Sequence, residues 1–330
     1  MDIVFIISQI FIHNVPATRC IIMKISAFRR KGGGGVEFRG RGRLFSYGLA
    51  ASVTFIWSVT FVSTKYLLGW LEPGEILLYR VAVAYALFVA FSPRPLPRAG
   101  LREELRFAAA GLLGVTLYFL CENTALSYST ASNVALIGGT APLITGIAAH
   151  FFTKNEKLSR AFAAGSVLCL AGIFLIICNG HFVLKLNPLG DVIALCGACV
   201  FAAYSLIVKG TGADYTPVQI VRKMLFYTLL SLLALAATPV IGLHPAQLAR
   251  PAVAANILFL AVFASAFCTW AWNIVIWNLG AVRANNLIYI TPPLTMLFSA
   301  LVLGERITPF AVAGGALILG GVYISQRVKK

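Results

Sequence analysis

The sequence predicts an all-α polytopic membrane protein, with ten transmembrane helices arranged as two inverted five-helix repeats around a central cavity. Three observations predict it. Hydrophobic residues make up 59% of the 330-residue chain and charged residues 12%, with a mean hydropathy of +0.86; soluble domains average about half and a quarter. The apolar residues fall into runs of about 18 to 25, each long enough as a helix to cross a hydrocarbon core of roughly 30 Å. They lack the short alternation of a β-barrel, which leaves helices to satisfy backbone groups in lipid. Finally, the chain repeats itself: "EKLSRAFAAGSVLCLAGIFL" from Glu156 returns 149 positions later as "ERITPFAVAGGALILGGVYI" from Glu305, with Gly165 on Gly314 and Gly172 on Gly321.

Taken in order, the runs place spans at about 45–69, 74–92, 106–127, 131–152, 160–179, 189–208, 217–240, 253–278, 283–303 and 309–326. The connections are too short for a soluble domain. With the N-terminus in the cytoplasm, internal segments from Arg29 onward carry eighteen Lys and Arg and external loops carry three. The positive-inside rule therefore puts both termini in the cytoplasm. The repeated stretch opens spans five and ten, so each repeat holds five spans, and an odd number makes the second copy enter the membrane from the opposite side. Inverted repeats of this kind belong to secondary transporters, with the binding site near the midplane between the halves. Residues 1–43 stand outside the plan as a basic, disordered segment, with Met23 an alternative start; 44–179 and 188–326 are the two repeats.

The repeat extends through the other spans. "WSVTFVSTK" from Trp57 to Lys65 in span one answers "FAAYSLIVK" from Phe201 to Lys209 in span six. Pro73 and Arg80 in span two answer Pro217 and Arg222 in span seven, and Asn123 in span three answers Asn273 in span eight. Asn133 and Pro142 in span four answer Asn285 and Pro293 in span nine. These motifs, with "ENTALSYSTASNVALIGGTAPL" and "WNIVIWNLGAVRANNLIYITPPL", resemble the EamA family of the drug/metabolite transporter superfamily over about residues 45 to 326. Phe201 departs from it, standing where the second repeat often has Trp. The resemblance implies a ten-span fold with cytoplasmic termini, a central cavity, and transport of small metabolites, frequently export of amino acids or related compounds.

Side chains sort by depth. Glu156 and Glu305 precede Ser159 and Thr308, good N-caps at the positive end of a helix dipole, and read as capping groups. The paired glycines read as close-packing surfaces between membrane helices. Lys65, Lys209 and Arg222 read as gate or mouth residues, against the plainer role of snorkelling anchors. Arg80 lies roughly two turns inside span two, where an ionisable group is costly and functional or paired. Glu122 is a candidate proton carrier, a partner for a substrate amine, or a partner for Arg80. Asn123, Asn133, Asn273 and Asn285 serve either helix-to-helix hydrogen bonding or substrate contact. Trp57, Tyr118, Tyr204, Trp270, Trp272 and Tyr289 fall away from the interfaces and are candidates for lining a mostly apolar cavity, whereas Trp70 and Trp277 sit at span ends where belt aromatics belong. Pro142 and Pro293 are expected to kink spans four and nine.

Other classes fit poorly. The formal charge of +16 follows topology and marks no nucleic-acid patch. "CGAC" at 196–199 lacks further ligands and reads as packing, so no metal or cofactor is expected. A P-loop, H-E-x-x-H and a nucleophile elbow are absent, which disfavours an ATP-driven pump and an intramembrane enzyme. The expected partners are a small-molecule substrate and membrane lipid, with proton coupling open, and the expected place is the cell membrane, as in a bacterial inner membrane. An exchanger of anionic phosphorylated metabolites, with the four basic residues clamping the anion, is the alternative.

Overall fold

The computed structural model describes residues 42–93, 96, 99–129, 134, 137–153, 159–178, 187–211, 215–239, 241–294 and 308–326. Residues 1–41, Asn133, Glu156 and Glu305 lie outside them. Among the described residues there is no β-strand. The helices are α1 (Arg43–Leu67), α2 (Pro73–Phe91), α3 (Leu101–Tyr128), α4 (Ala141–Phe152), α5 (Arg160–Cys178), α6 (Pro188–Lys209), α7 (Pro217–Ala236), α8 (Pro251–Leu279), α9 (Ala281–Asn286, continuing as a 3-10 turn over Leu287–Ile290) and α10 (Pro309–Gln326). Six of them, α1, α2, α3, α6, α7 and α8, are long and apolar enough to cross a membrane.

Proline at the first helical position starts several of these helices, because its missing N–H costs nothing there and its φ is already helical. Pro73, Pro188, Pro217 and Pro251 all occupy that position. Ahead of α7 the Thr216 hydroxyl accepts from the Gln219 N–H at 3.2 Å while the Gln219 side chain accepts from the Thr216 N–H at 2.8 Å, a complete capping box. Ahead of α6, Asn187 caps the Gly190 N–H at 3.2 Å. α8 ends at Gly280, whose φ of 92° is strained for any residue with a Cβ; the chain turns there directly into α9.

Two sequence expectations change. α3 starts at Leu101 rather than near 106, since "LREELRF" is helical: Glu103 and Glu104 sit in its first turn, where the helix dipole favours acids, and Arg106 pairs with Glu103. Pro142 does not kink the middle of a helix. It occupies the first turn of α4, just after the turn at 139–140, so the irregularity is a helix start. Pro293 follows the 3-10 turn Leu287–Ile290.

Packing uses small residues. α5 and α10 cross with their glycines reciprocally opposed: a Cβ on Gly165 would lie 2.4 Å from the Gly321 carbonyl oxygen, and one on Gly172 would lie 2.5 Å from that of Gly314. The contacts made by Gly314 on Gly172 and by Gly321 on Gly165 are the mirror of these, at 2.5 and 2.6 Å. Backbones this close gain dispersion contacts that hold helices together where lipid removes the hydrophobic driving force. The outer surface stays apolar, with Leu44, Phe151, Phe152, Val167 and Leu319 exposed, as a surface solvated by acyl chains requires.

Candidate functional site

α3 and α8 share an uncommon feature. Each is α-helical at both ends and π-helical in the middle, over Leu112–Leu117 and Leu260–Cys268 respectively. Such widened turns cluster at functional sites because they re-aim the side chains that follow. Tyr118, Phe119 and Glu122 follow the first, and Trp270, Trp272 and Asn273 follow the second.

These side chains meet others in an aromatic layer drawn from both halves of the chain. Trp57 of α1 faces Trp272 of α8 with ring centroids 4.9 Å apart and lies 6.4 Å from Phe201 of α6. Phe201 lies 4.9 Å from Tyr118 and 5.5 Å from Tyr204. Tyr118 contacts Phe119 at 4.9 Å. Room for the Tyr204 ring exists because residue 114 is glycine, where a Cβ would stand 2.2 Å from that ring. Trp270 is half-buried against Phe267, at 6.1 Å.

Arg80 ends the layer. It is 1% exposed, its guanidinium carbon lies 4.3 Å from the centre of the Phe119 ring, and its Nε donates to the Ser265 hydroxyl at 2.7 Å. Its Nη2 has no acceptor. Glu122 is half-buried and accepts a hydrogen bond from the Tyr118 hydroxyl at 2.6 Å. Arg80 and Glu122 act on one another electrostatically, yet no ion pair within 4 Å joins them. The direct pairing considered from sequence is replaced by Ser265 and Phe119 for the arginine and Tyr118 for the carboxylate.

The asparagines divide. Asn273 donates to the Thr269 carbonyl at 2.7 Å and accepts from the Tyr204 hydroxyl at 3.3 Å, so it belongs to the layer. The Nε1 of Trp272 beside it is buried without an acceptor. Asn123 donates to the Pro73 carbonyl at 3.1 Å, and Asn285 donates to the hydroxyls of Thr145 at 2.7 Å and Ser205 at 3.0 Å. Both hold helices together. Tyr289 is buried near Ser166 of α5, apart from the layer.

The basic residues do not converge. Lys65 donates to the Leu126 carbonyl at 2.7 Å, near the start of α2, and Arg222 donates to the Ser92 carbonyl at the end of α2. The 19 residues of α2 separate these points by roughly 28 Å at 1.5 Å per residue. Lys209 ends α6, exposed.

Sequence reasoning missed several polar ties. Glu75, with no exposure, accepts from Tyr79 at 2.9 Å and from the His244 backbone N–H at 2.5 Å, and its carboxylate is 3.1 Å from His244 Nδ1. Glu72 accepts from the Gly242 N–H at 2.8 Å, so the α7–α8 connection is buttoned to the start of α2. At the other end of α2, Glu104 receives Lys223 and, at 2.8 Å, the Tyr227 hydroxyl. A helix-start position for "EPGE" was readable; its partner 169 residues away was not. Ser265 carried no signal at all. Among the described residues no group of three His, Cys, Asp or Glu could hold a metal.

The profile of the EamA-like transporter family matches residues 44–178 and again 188–326. An uncharacterized transporter of Archaeoglobus fulgidus is 27% identical, covering 84% of this chain and 96% of that one. A probable terminal-alkyne amino-acid exporter of Streptantibioticus cattleyicolor is 25% identical over 82% and 90% of the two chains. A probable amino-acid metabolite efflux pump of Salmonella typhimurium is 23% identical over 84% and 93%. A solved crystal structure superposes with a TM-score of 0.71 at 17% identity, covering 88% of this chain and 100% of that one, a likeness of fold.

Proposed function

Because the chain belongs to the EamA-like transporter family, we propose that it is a secondary transporter that exports small amphipathic metabolites, such as amino acids, by alternating access. The single observation that carries this reading is the aromatic layer. It is assembled from α1, α3, α6 and α8, so rocking one half against the other would open and close it. Its character, mostly aromatic with a few polar groups, is that of pockets for amphipathic ligands. The amino-acid exporter and efflux pump named above lend support from relatives.

Ten spans in two inverted repeats, 44–179 and 188–326, with cytoplasmic termini and a place in the cell membrane, complete the proposal. The reciprocal glycine contacts of α5 and α10 support the inversion, because a two-fold axis in the membrane plane makes residue i meet j while their counterparts meet in turn. The π-helical segments at matching places in α3 and α8 support it independently. In this scheme Trp57, Arg80, Tyr118, Glu122, Tyr204, Trp272 and Asn273 contact substrate, Lys65 and Arg222 brace the two mouths, and Glu122 is the candidate for proton coupling. A phosphate-clamping exchanger needs convergent basic groups, and the opposed positions of Lys65 and Arg222 count against it.

Counterflow in proteoliposomes tests the reading. Vesicles preloaded with amino acids should take up labelled amino acid through wild-type protein, and Trp272→Ala should lower that rate tenfold or more. Exchange confined to phosphorylated compounds would overturn it.

A further inference from the structure

The outer, apolar surface is recessed at one seam. α1 lies in the first of the two family-matched segments and α9 in the second, and the two touch at the 3-10 turn Leu287–Ile290. Beside that contact is a cavity of about 450 Å³, walled by Tyr47, Ala50, Ala51, Thr54 and Phe55 of α1 and, opposite them, by Leu287 and Ile290 among others. That volume falls within the range of about 300–1,000 Å³ seen for small-molecule sites. The recess exists because α1 carries alanine at 50 and 51, between two aromatic residues on the same face. Ala50 and Thr54 form its floor at 1% exposure each, while Tyr47 and Phe55, each 36% exposed, stand at its rim. The floor has no polar group to offer, since the Thr54 hydroxyl is turned onto its own helix, donating to the Ala50 and Ala51 carbonyls at 3.0 and 3.1 Å. An empty recess forfeits the dispersion contacts of its lining, and in a bilayer the apolar, flexible material at hand is acyl chain.

The groove also has a direction. From Tyr47 to Phe55 it runs roughly 12 Å along α1, most of the roughly 15 Å of hydrocarbon in one leaflet. One turn before Tyr47, roughly 6 Å further on, α1 begins with the exposed Arg43, and the sequence ahead of it adds Arg39 and Arg41. On the opposite wall Arg283 stands one turn before Leu287. Arginine matches phosphate oxygens with two parallel donors, and basic residues where a helix leaves the membrane attract anionic headgroups.

We propose that this groove is a binding site for one anionic phospholipid: an acyl chain fills the recess between α1 and α9, and Arg43 holds the phosphate at its basic end. The two ends of the site select together. A neutral lipid fills the groove without the charge contact, and a free anion makes the charge contact without the groove. The bound chain lies across the seam between the two halves of the molecule. Where those halves rock against one another, a ligand that fits one width of the seam favours the state with that width. This last consequence rests on the transport reading; the site itself does not.

Native mass spectrometry of the purified full-length protein tests it. The probes are palmitoyl-oleoyl phosphatidylglycerol and palmitoyl-oleoyl phosphatidylcholine, which share both chains and differ in headgroup charge. Supplied with equal amounts, wild type should retain one phosphatidylglycerol per chain with at least fivefold preference over phosphatidylcholine. Ala51→Trp, which fills the groove from an exposed position, should lower that retention at least tenfold. Leu230→Trp, at a 57% exposed site on α7, a helix that packs on α2 and α3, should leave it unchanged. Arg43→Gln should level the preference between the two lipids. Equal retention of both lipids by wild type, or the same retention in Ala51→Trp as in Leu230→Trp, would overturn the proposal. So would a wild-type dimer that Ala51→Trp dissociates, since it would give the groove to a second copy of the chain. The wild-type comparison stands even where a variant fails to fold. A protein that exchanges solutes in vesicles yet shows no lipid preference loses this inference and keeps the transport reading. One that retains phosphatidylglycerol as predicted and exchanges nothing does the reverse.

Discussion

The α5–α10 crossing and the aromatic layer solve opposite problems with opposite materials. At the crossing, backbone lies on backbone: Gly165 faces Gly321 and Gly172 faces Gly314, so that a single added carbon would sit 2.4 to 2.6 Å from a carbonyl oxygen. In the layer, large rings meet at 4.9 to 6.4 Å, and two buried donors, Arg80 Nη2 and Trp272 Nε1, have no acceptor. Unsatisfied buried donors cost about 1–3 kcal/mol each, more when charged. The crossing has no room for a ligand, while the layer has chemical demands that a ligand would meet. One holds the halves together and the other is what they hold.

That contrast orders the expected effects of mutation. The largest falls on the crossing. Gly172→Leu should destabilise the protein by about 3 kcal/mol or more, because overpacking against backbone cannot be relieved by a rotamer change. Gly320→Leu, on the exposed face of the partner helix beside Gly321 with nothing within 4 Å of its Cβ, should leave the thermal unfolding midpoint in detergent nearly unchanged. Equal effects of the two would break the comparison. Next comes the layer: Trp57→Ala should weaken ligand binding at least tenfold, about 1.4 kcal/mol, while the protein remains folded by circular dichroism. Smaller again is Asn285→Ala, which removes bonds to Thr145 and Ser205 at 2.7 and 3.0 Å. Hydrogen bonds between membrane helices average about 0.6 kcal/mol and reach about 1.7, so a stability loss of about 1 kcal/mol with ligand affinity unchanged is expected, and an affinity loss would move Asn285 into the layer. Smallest is Thr216→Ala, which takes away the α7 cap at 3.2 Å; about 1 kcal/mol or less in unfolding free energy is expected.

What the sequence disclosed follows the same division. The glycine crossing was legible because its cause is local and repeated: Gly165 and Gly172 recur as Gly314 and Gly321, and small residues two turns apart have one use in lipid. The starts of α2, α6 and α7 were legible near 74, 189 and 217 because the apolar runs begin there, beside Pro73, Pro188 and Pro217, whereas Pro142 lies inside such a run and reads as a kink although a turn at 139–140 precedes it. Arg80 announced itself through the cost of charge at depth. Its partner did not, since Ser265 lies 185 positions away and a lone serine in an apolar run carries no directional information. The pairing of Trp57 with Trp272 was hidden for the same reason: periodicity says which face of a helix is buried and not which distant helix covers it. The Asn residues looked alike in sequence and separate only by contacts, Asn273 joining the layer through Tyr204 at 3.3 Å and Asn285 bridging α4 and α6.

On this reading a small amphipathic molecule binds in the aromatic layer. Ligand-dependent thermal stabilisation of the purified protein tests it most directly, because a ligand that binds only the folded state raises stability by mass action, about 2.7 kcal/mol at one hundred times its dissociation constant. Screened against amino acids, nucleosides, organic cations and sugar phosphates, the wild type should be stabilised by amino acids, and Trp272→Ala, compared at its own midpoint, should lose the shift. Stabilisation by sugar phosphates alone, retained in Trp272→Ala, would contradict the account.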